Sequence, residues 1–244
     1  PSSVIYDRAD SAITKASPEE FDFDSVFENA DLFHVSGITP VLSPNARDIT
    51  FAALKSAKKH SVCISFDLNY RAKLWTENVE EKQQMLREMI RYADICFGNA
   101  RDAAKCLGYC EDGVDFINGD YDICVDETHM INVVKEYNLK YLITTLRDSI
   151  SASDNGWSAA VCDGHTLYRG KQYKLHIVDR VGGGDSFASG FLHGIVSGMT
   201  MENSLEFAIA AAAIKHTIPG DINYITEAEI LSLMNSDGSG RVQR

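Results

Sequence analysis

The sequence has no apolar run near the roughly 20 residues that a bilayer-spanning helix needs, so a membrane span is not expected. Basic charge is scarce too. Lys plus Arg number 23 against 35 for Asp plus Glu, a formal net charge of −12. Such a surface repels polyanions, which excludes a general nucleic-acid binder but leaves room for a local pocket that takes a small anion. No G-x-x-x-x-G-K-[ST], H-E-x-x-H or G-x-S-x-G segment occurs, which removes the P-loop, zincin and α/β-hydrolase readings. Zinc spacing is missing as well: Cys106 and Cys110 stand four apart with no second Cys/His pair to complete a tetrahedral site. The six cysteines, Cys63, Cys96, Cys106, Cys110, Cys124 and Cys162, read as free thiols behaving as small hydrophobes in a reducing, cytoplasmic compartment.

What is present is an ordinary globular composition, 45% hydrophobic and 24% charged over 244 residues, enough for one large domain or two small ones. The chain opens without Met at Pro1-Ser2-Ser3-Val4-Ile5-Tyr6, already in a strand-like run over 3–8. Ser17-Pro18-Glu19-Glu20 reads as a helix start, and Asp31–Gly37 as a buried-type strand. Helix and strand then alternate: helix 43–60, strand 62–68, helix 77–92, strand 94–98, helix 100–107, helix 126–137 and strand 141–145. That rhythm predicts an α/β fold with a mainly parallel sheet sandwiched by helices. Four short alternating segments, 149–154, 157–162, 165–169 and 172–178, predict a late antiparallel meander. Helices follow over 184–197 and 202–217, and Thr226 with Glu229 forms a capping box for the last one. His34, His193 and His216 show neither triad nor metal spacing and read as packing residues, as do Trp75 and Trp157.

The sharpest local feature is Asp179-Arg180-Val181-Gly182-Gly183-Gly184-Asp185, where three glycines run into a helix-forming stretch. Glycine lets backbone approach a ligand closely, and the free amides and dipole of the following helix favour an anion. Asp185 beside that anion would repel a bound phosphate unless it had a separate task. Taking the proton of a hydroxyl that attacks the phosphate is such a task. The plainer alternative is a glycine turn with Asp185 as a helix-start residue.

Asp179…Gly182-Gly183-Gly184-Asp185 resembles the C-terminal signature of the ribokinase-like, or PfkB-family, sugar kinases. Further segments carry the likeness: Ser3–Ala12 as the substrate-contacting lid strand, Ser65–Trp75 as an FD-x-N-x-R segment, Thr144-Thr145-Leu146 as a strand end, and Ala210–Asp221 as the adenine-side helix and its turn. The resemblance covers nearly the whole chain and leans toward members acting on 2-keto-3-deoxygluconate. It implies a ribokinase-like fold with the remnant of a β lid over 1–16, an α/β core over 17–235 and a flexible tail over 236–244. It implies ATP-dependent phosphorylation of a sugar-acid hydroxyl, giving 2-keto-3-deoxy-6-phosphogluconate. Fructokinase or another sugar kinase of the fold is the alternative, and a non-catalytic sugar-binding regulator a third.

Under that resemblance Asp185 is the general base, and the amides of Gly182, Gly183 and Gly184 hold the transferring phosphate. Tyr6 and Arg8 share one strand face and are implied sugar-acid contacts, Arg8 suiting a carboxylate. Arg71 is assigned to substrate carboxylate or phosphate, and Asp221 to the substrate, with a simple Gly-Asp turn as the equal alternative. The nucleotide side takes Asn69, Tyr70, Arg71, Thr145, Leu146, Arg147, Asp148, Ser149 and Ile150, although Asn69 and Tyr70 could instead support their loop. Asn99 and Asp102 stand where the family has N-x-x-E, linked indirectly to magnesium. Gly183 stands where alanine is commoner, and that exchange is expected to be harmless. The implied cofactors are ATP and Mg2+, with a monovalent cation near Asp179. The implied partners are a small sugar acid and ATP, with neither nucleic acid nor membrane, and a homodimer. The family's opening strands and di-glycine segment have no counterpart before Pro1, so weak turnover by the isolated 244-residue chain is expected.

Overall fold

The computed structural model describes residues 8, 10–108, 127–149, 151 and 153–236. Apart from Arg8, the strand expected over 3–8 lies outside them, as do the tail from 237, Cys110, Cys124 and Ile150. The chain divides into two compact units, Pro1–Ile117 with Lys135–Lys140, and Asn118–Val134 with Tyr141–Arg244.

The first unit opens with α1 (Ala12–Lys15) and α2 (Phe23–Phe27). The helix start read at Ser17 makes only a short 3-10 turn over Pro18–Glu20, closed by the Ser17 amide donating to Glu20 Oε1 at 2.7 Å. Strands β1 (Leu32–Ser36), β2 (Cys63–Asp67) and β3 (Ile95–Phe97) run parallel, pairing Leu32 with Cys63 and Ser65 with Ile95. The central strand is buried on both faces, with Ile64, Ser65 and Phe66 fully enclosed, as parallel strands require. β1 is less buried than its sequence suggests: Val35 is its one buried side chain and His34 is exposed, because β1 ends the strand order among the described residues. Between β1 and β2, α3 (Pro44–Lys59) is capped by Ser43, whose hydroxyl accepts the Ala46 amide at 3.1 Å. Its buried residues Ala46, Ile49, Ala53, Leu54 and Ala57 form one stripe at helical spacing. α4 (Val79–Ile90) buries Leu86, Met89 and Ile90, and α5 (Ala100–Leu107) follows β3 directly. Among the described residues no helix is long and apolar enough to cross a membrane.

α6 (Glu127–Tyr137) is shared by the two units. In the second, β4 (Tyr141–Ser149) and β5 (Asp154–Cys162) form one long antiparallel hairpin, Leu142 opposite Cys162 and Ser149 opposite Asn155. The expected break after Thr145 is absent, since alternation through Thr145, Leu146 and Arg147 continues the pairing with Ala159, Ser158 and Trp157. β6 (Leu167–Arg169) and β7 (Tyr173–His176) both pair with β5, so the expected serial meander is instead one strand flanked by a shared edge.

Helices α7 (Gly183–Val196), α8 (Met201–Lys215) and α9 (Glu227–Met234) complete the unit. α8 is enclosed from Ser204 to Ala213. α7 approaches it at Gly190, where a Cβ would stand 2.9 Å from Ala208 Cα. α9 seals the far side with Ile230 against Phe207, Ala210 and Ala211.

Candidate active site

In the first unit the candidates gather at the C-terminal ends of parallel strands, where open α/β sheets place ligands. Asn69 takes a left-handed backbone (φ 46°) one residue beyond Leu68. Its amide donates to Asp67 Oδ1 at 3.1 Å and its Nδ2 to Ser36 Oγ at 3.0 Å, so it joins the loops after β1 and β2. Tyr70 packs on Trp75 with ring centroids 5.7 Å apart, and Arg71 is exposed with Nη1 donating to the Tyr70 carbonyl at 3.0 Å. Asn99 and Asp102 form a capping box for α5: the Asp102 amide donates to Asn99 Oδ1 at 2.8 Å and the Asn99 amide to Asp102 Oδ2 at 3.4 Å. Arg8 is half-buried; its expected companion Tyr6 lies outside the described residues.

In the second unit Gly182, Gly183, Gly184, Asp185 and Asp221 come together. Asp179 starts the construction. Its Oδ1 accepts the Val181 amide at 3.0 Å and its Oδ2 the Gly220 amide at 2.8 Å, and those bonds hold its carboxyl below the usual carboxylate range. The loop is tied again where the His216 carbonyl accepts the Val178 amide at 2.8 Å and the Asp179 amide at 3.2 Å. Gly182 then turns left-handed (φ 74°) as the cap of α7, and a Cβ there would overlap the Asp221 carbonyl oxygen and come within 2.9 Å of Asp221 Oδ1.

Gly183 is enclosed for a different reason. A Cβ would lie 2.7 Å from His216 Cε1 and 2.9 Å from Nε2. That imidazole cannot easily move. Its Nδ1 donates to the Ala212 carbonyl at 2.6 Å, and its ring packs on Trp157 at 4.8 Å. Because a carbonyl only accepts, Nδ1 carries the proton of the neutral ring. Burial pushes the His216 pKa down, with nearby Arg147, Arg180 and Lys215 acting in the same sense. The alanine exchange expected to be harmless at Gly183 is therefore crowded in this chain, whereas Gly184 faces open space.

The opening turn of α7 points its free donors outward. The Gly183 amide bends back to the Arg180 carbonyl at 3.3 Å and the Ser186 amide bonds Gly182 at 2.8 Å. The amides of Gly182, Gly184 and Asp185 have no acceptor among the described residues, so the open donors include two of the three glycines read from sequence and add Asp185. The Asp185 side chain is exposed and makes no bond with a described residue. Beside it opens a cavity of about 440 Å³, lined among others by Ser186, Ser189, His193 and Asn223. Asn223 Nδ2 donates to Ser186 Oγ, and its buried Oδ1 has no partner among the described residues. Nothing in the sequence pattern singled out Asn223, since an Asn after a Gly-Asp turn reads as loop.

Thr145, Leu146, Arg147, Asp148 and Ser149 lie within paired β4 rather than on a loop. Among the described residues no group of three or more His, Cys, Asp or Glu could hold a metal ion, so Mg2+ finds no ready protein cage there. Near Asp179, where a monovalent cation is expected, the oxygens already have donors. The carbonyls of Gly220 and Ile218 accept the Lys215 ammonium at 2.7 and 3.1 Å, and both Asp179 oxygens are engaged by amides.

Parallel strands ending in polar loops in one unit, and in the other a glycine turn that opens a helix beside an unengaged carboxylate, belong to an α/β protein. Similarity to known proteins narrows that class. The profile of the pfkB family carbohydrate kinases matches residues 2–228, and the chain belongs to that family. A 2-dehydro-3-deoxygalactonokinase from Haloferax volcanii is 30% identical over 240 residues, 98% of this chain and 68% of that protein. A 5-dehydro-2-deoxygluconokinase from Bacillus licheniformis is 28% identical over 233 residues, 94% of this chain and 64% of that protein. The crystal structure of 2-dehydro-3-deoxygluconokinase from Thermotoga maritima superimposes with a TM-score of 0.86 at 41% identity, covering 97% of this chain and 69% of that one. The fold is thus the ribokinase-like α/β fold. The chain spans about two thirds of the length of these relatives.

Proposed function

We propose that this chain carries the catalytic end of an ATP-dependent sugar-acid kinase whose acceptor is 2-keto-3-deoxygluconate, the compound also written 2-dehydro-3-deoxygluconate. The observation that carries the reading is Asp185, an exposed carboxylate without a described partner at the first turn of α7, beside the open amides of Gly184 and its own backbone. A carboxylate kept clear of cations and donors is available as a base, and amides aimed outward at a helix start suit a transferring phosphoryl group.

In the proposed step the sugar hydroxyl oxygen forms a bond to the γ-phosphorus of ATP while the bond from that phosphorus to the β–γ bridging oxygen breaks. The hydroxyl proton passes to Asp185, and ADP leaves. Magnesium enters as the chelate of ATP and neutralises phosphate charge there. Gly182 and Asp221 supply the floor of the cradle, since close approach of their backbones sets the direction of the first turn of α7. Arg8 and Arg71 are the cations proposed for the sugar-acid carboxylate or a phosphate. An acid acceptor agrees with the names of the relatives, which all describe keto-deoxy sugar acids.

The test is ADP release by the full-length gene product with 2-keto-3-deoxygluconate, its galacto epimer, 5-dehydro-2-deoxygluconate, fructose and ribose at equal concentration. Preference for a keto-deoxy acid is expected. Asp185→Asn should lower kcat by at least about 100-fold with KM little changed, the size of a lost general base. Arg8→Ala should instead raise KM for the acid by about 10-fold or more, the scale of one charge-assisted hydrogen bond. Preference for a neutral sugar would overturn the carboxylate assignment, and an active Asp185→Asn would remove the base.

A further inference from the structure

Lys215 is 0% exposed, a charged side chain wholly inside the protein at the last turn of α8. An enclosed ammonium is tolerated only when oxygens replace its water. Here they come from the turn that follows it. Lys215 Nζ donates to Gly220 O at 2.7 Å and to Ile218 O at 3.1 Å, while the C-terminal end of α8 presents the negative pole of the helix.

Gly220 is thereby gripped from both sides. Its carbonyl goes to Lys215, and its amide donates to Asp179 Oδ2 at 2.8 Å. The next residue, Asp221, lies against Gly182, and Asp179 also holds the Val181 amide two positions before the first glycine of α7. One buried positive charge and one carboxylate therefore brace the two chain segments that shape the anion cradle.

We infer that the Lys215 ammonium is a tethered cation in the place where the resemblance implied a free monovalent ion, so that this protein needs no potassium or sodium to order its phosphate cradle. The inference rests on the kinase reading only for its turnover measurement. An ammonium carries the same unit charge as an alkali ion and holds oxygens at hydrogen-bond distance, but it is delivered by the fold and cannot be diluted away. A second cation brought against the same oxygens would meet a like charge. Lys215 acts here as a positioning residue, through Gly220 and Asp221.

The experiment compares KCl, NaCl, NH4Cl and choline chloride at equal ionic strength, on the full-length gene product and on Lys215→Ala. For the wild type, melting temperature and turnover should be the same in all four salts. A saturable gain in K+ or Na+ over choline, by more than about 2 °C or about twofold in kcat, would overturn the inference. Lys215→Ala should melt lower, lose kcat more than it changes KM for the sugar, and recover part of both in NH4+, K+ or methylammonium but not in choline. A folded variant with wild-type kcat, or one that no small cation restores, would also overturn it. If Lys215→Ala does not fold, the wild-type salt comparison decides alone. Absence of turnover on every sugar would sink the kinase reading and leave the melting comparison intact.

Discussion

Three consecutive glycines look interchangeable in the sequence, yet replacing each by alanine should have three different consequences. At Gly182 the backbone is left-handed, which costs an L-residue about 1–2 kcal/mol, and the new methyl group meets the Asp221 backbone. Overpacking of this kind adds roughly 1–3 kcal/mol. Gly182→Ala should therefore lose about 2–5 kcal/mol, or roughly 5–15 °C in a chain of this size. At Gly183 the backbone is ordinary helix, so alanine gains about 0.4–1 kcal/mol through the unfolded state. The methyl group, however, stands 2.7 Å from a His216 ring that is bonded to Ala212 and packed on Trp157. The net for Gly183→Ala should be a loss of about 1–2 kcal/mol, or roughly 2–6 °C. At Gly184 a Cβ would meet no atom of the described residues within 4 Å beyond its own helix turn, and alanine should raise the melting temperature by about 1–3 °C. Thermal unfolding by circular dichroism on the three variants reads the order directly. The crowding at Gly183 has a second readout. In a cycle with His216→Ala the two substitutions should couple by about 1 kcal/mol, because removing the ring makes room for the methyl group. A Gly183→Ala protein that melts at or above the wild type, or a cycle without coupling, would refute the assignment of that crowding to His216.

His216 also sets a pH window. Its pKa is depressed in the fold below the ordinary 6.5, so the unfolded chain binds the proton more readily. Its contribution to stability is fully present above about pH 6.5 and is lost as pH falls below that value toward the folded pKa. Melting temperature should fall as pH drops below about 6.5 in the wild type and more gently in His216→Gln, whereas equal slopes would exclude His216 as the source. The carboxyls held low by amides, Asp163 and Asp179 among them, act in a separate window, stabilising above about pH 4 and losing that effect below it. Glu206 is buried and accepts the Tyr168 hydroxyl at 3.0 Å and the Lys171 amide at 3.1 Å. Glu206→Leu strands both donors and should cost about 2–4 kcal/mol in urea unfolding; an unchanged midpoint would show that the donors find other acceptors.

Local features with a short-range cause were legible in the chain. Thr226 and Glu229 form the capping box their spacing implied, the Thr226 amide donating to Glu229 Oε2 at 2.8 Å. α3, α5 and α8 lie within a residue or two of their expected bounds, since helical periodicity and caps act over a few positions. The glycine turn before α7 and the carboxylate that follows it were readable for the same reason. The β4–β5 hairpin was not. Its length depends on pairing with a strand elsewhere in the chain, and the residues from Thr145 to Ser149 look equally fit for a loop. The position of β1 at the end of the strand order among the described residues, which leaves His34 exposed, is likewise a property of strand order rather than of its five residues.

The sequence by itself determined the α/β rhythm, the acidic surface, the glycine turn with Asp185, and the family resemblance that those segments carry. Only the tertiary structure decided what each glycine is for, because the pressure on Gly182 comes from Asp221 and that on Gly183 from His216, more than thirty residues away. It alone made Lys215 an internal cation, since a lysine in an alanine-rich helix reads as an exposed charge until the turn after it folds back its carbonyls. Periodicity and capping are written into neighbouring residues. Crowding, enclosure and charge pairing arise between segments distant in sequence, and exist only once the chain has brought them together.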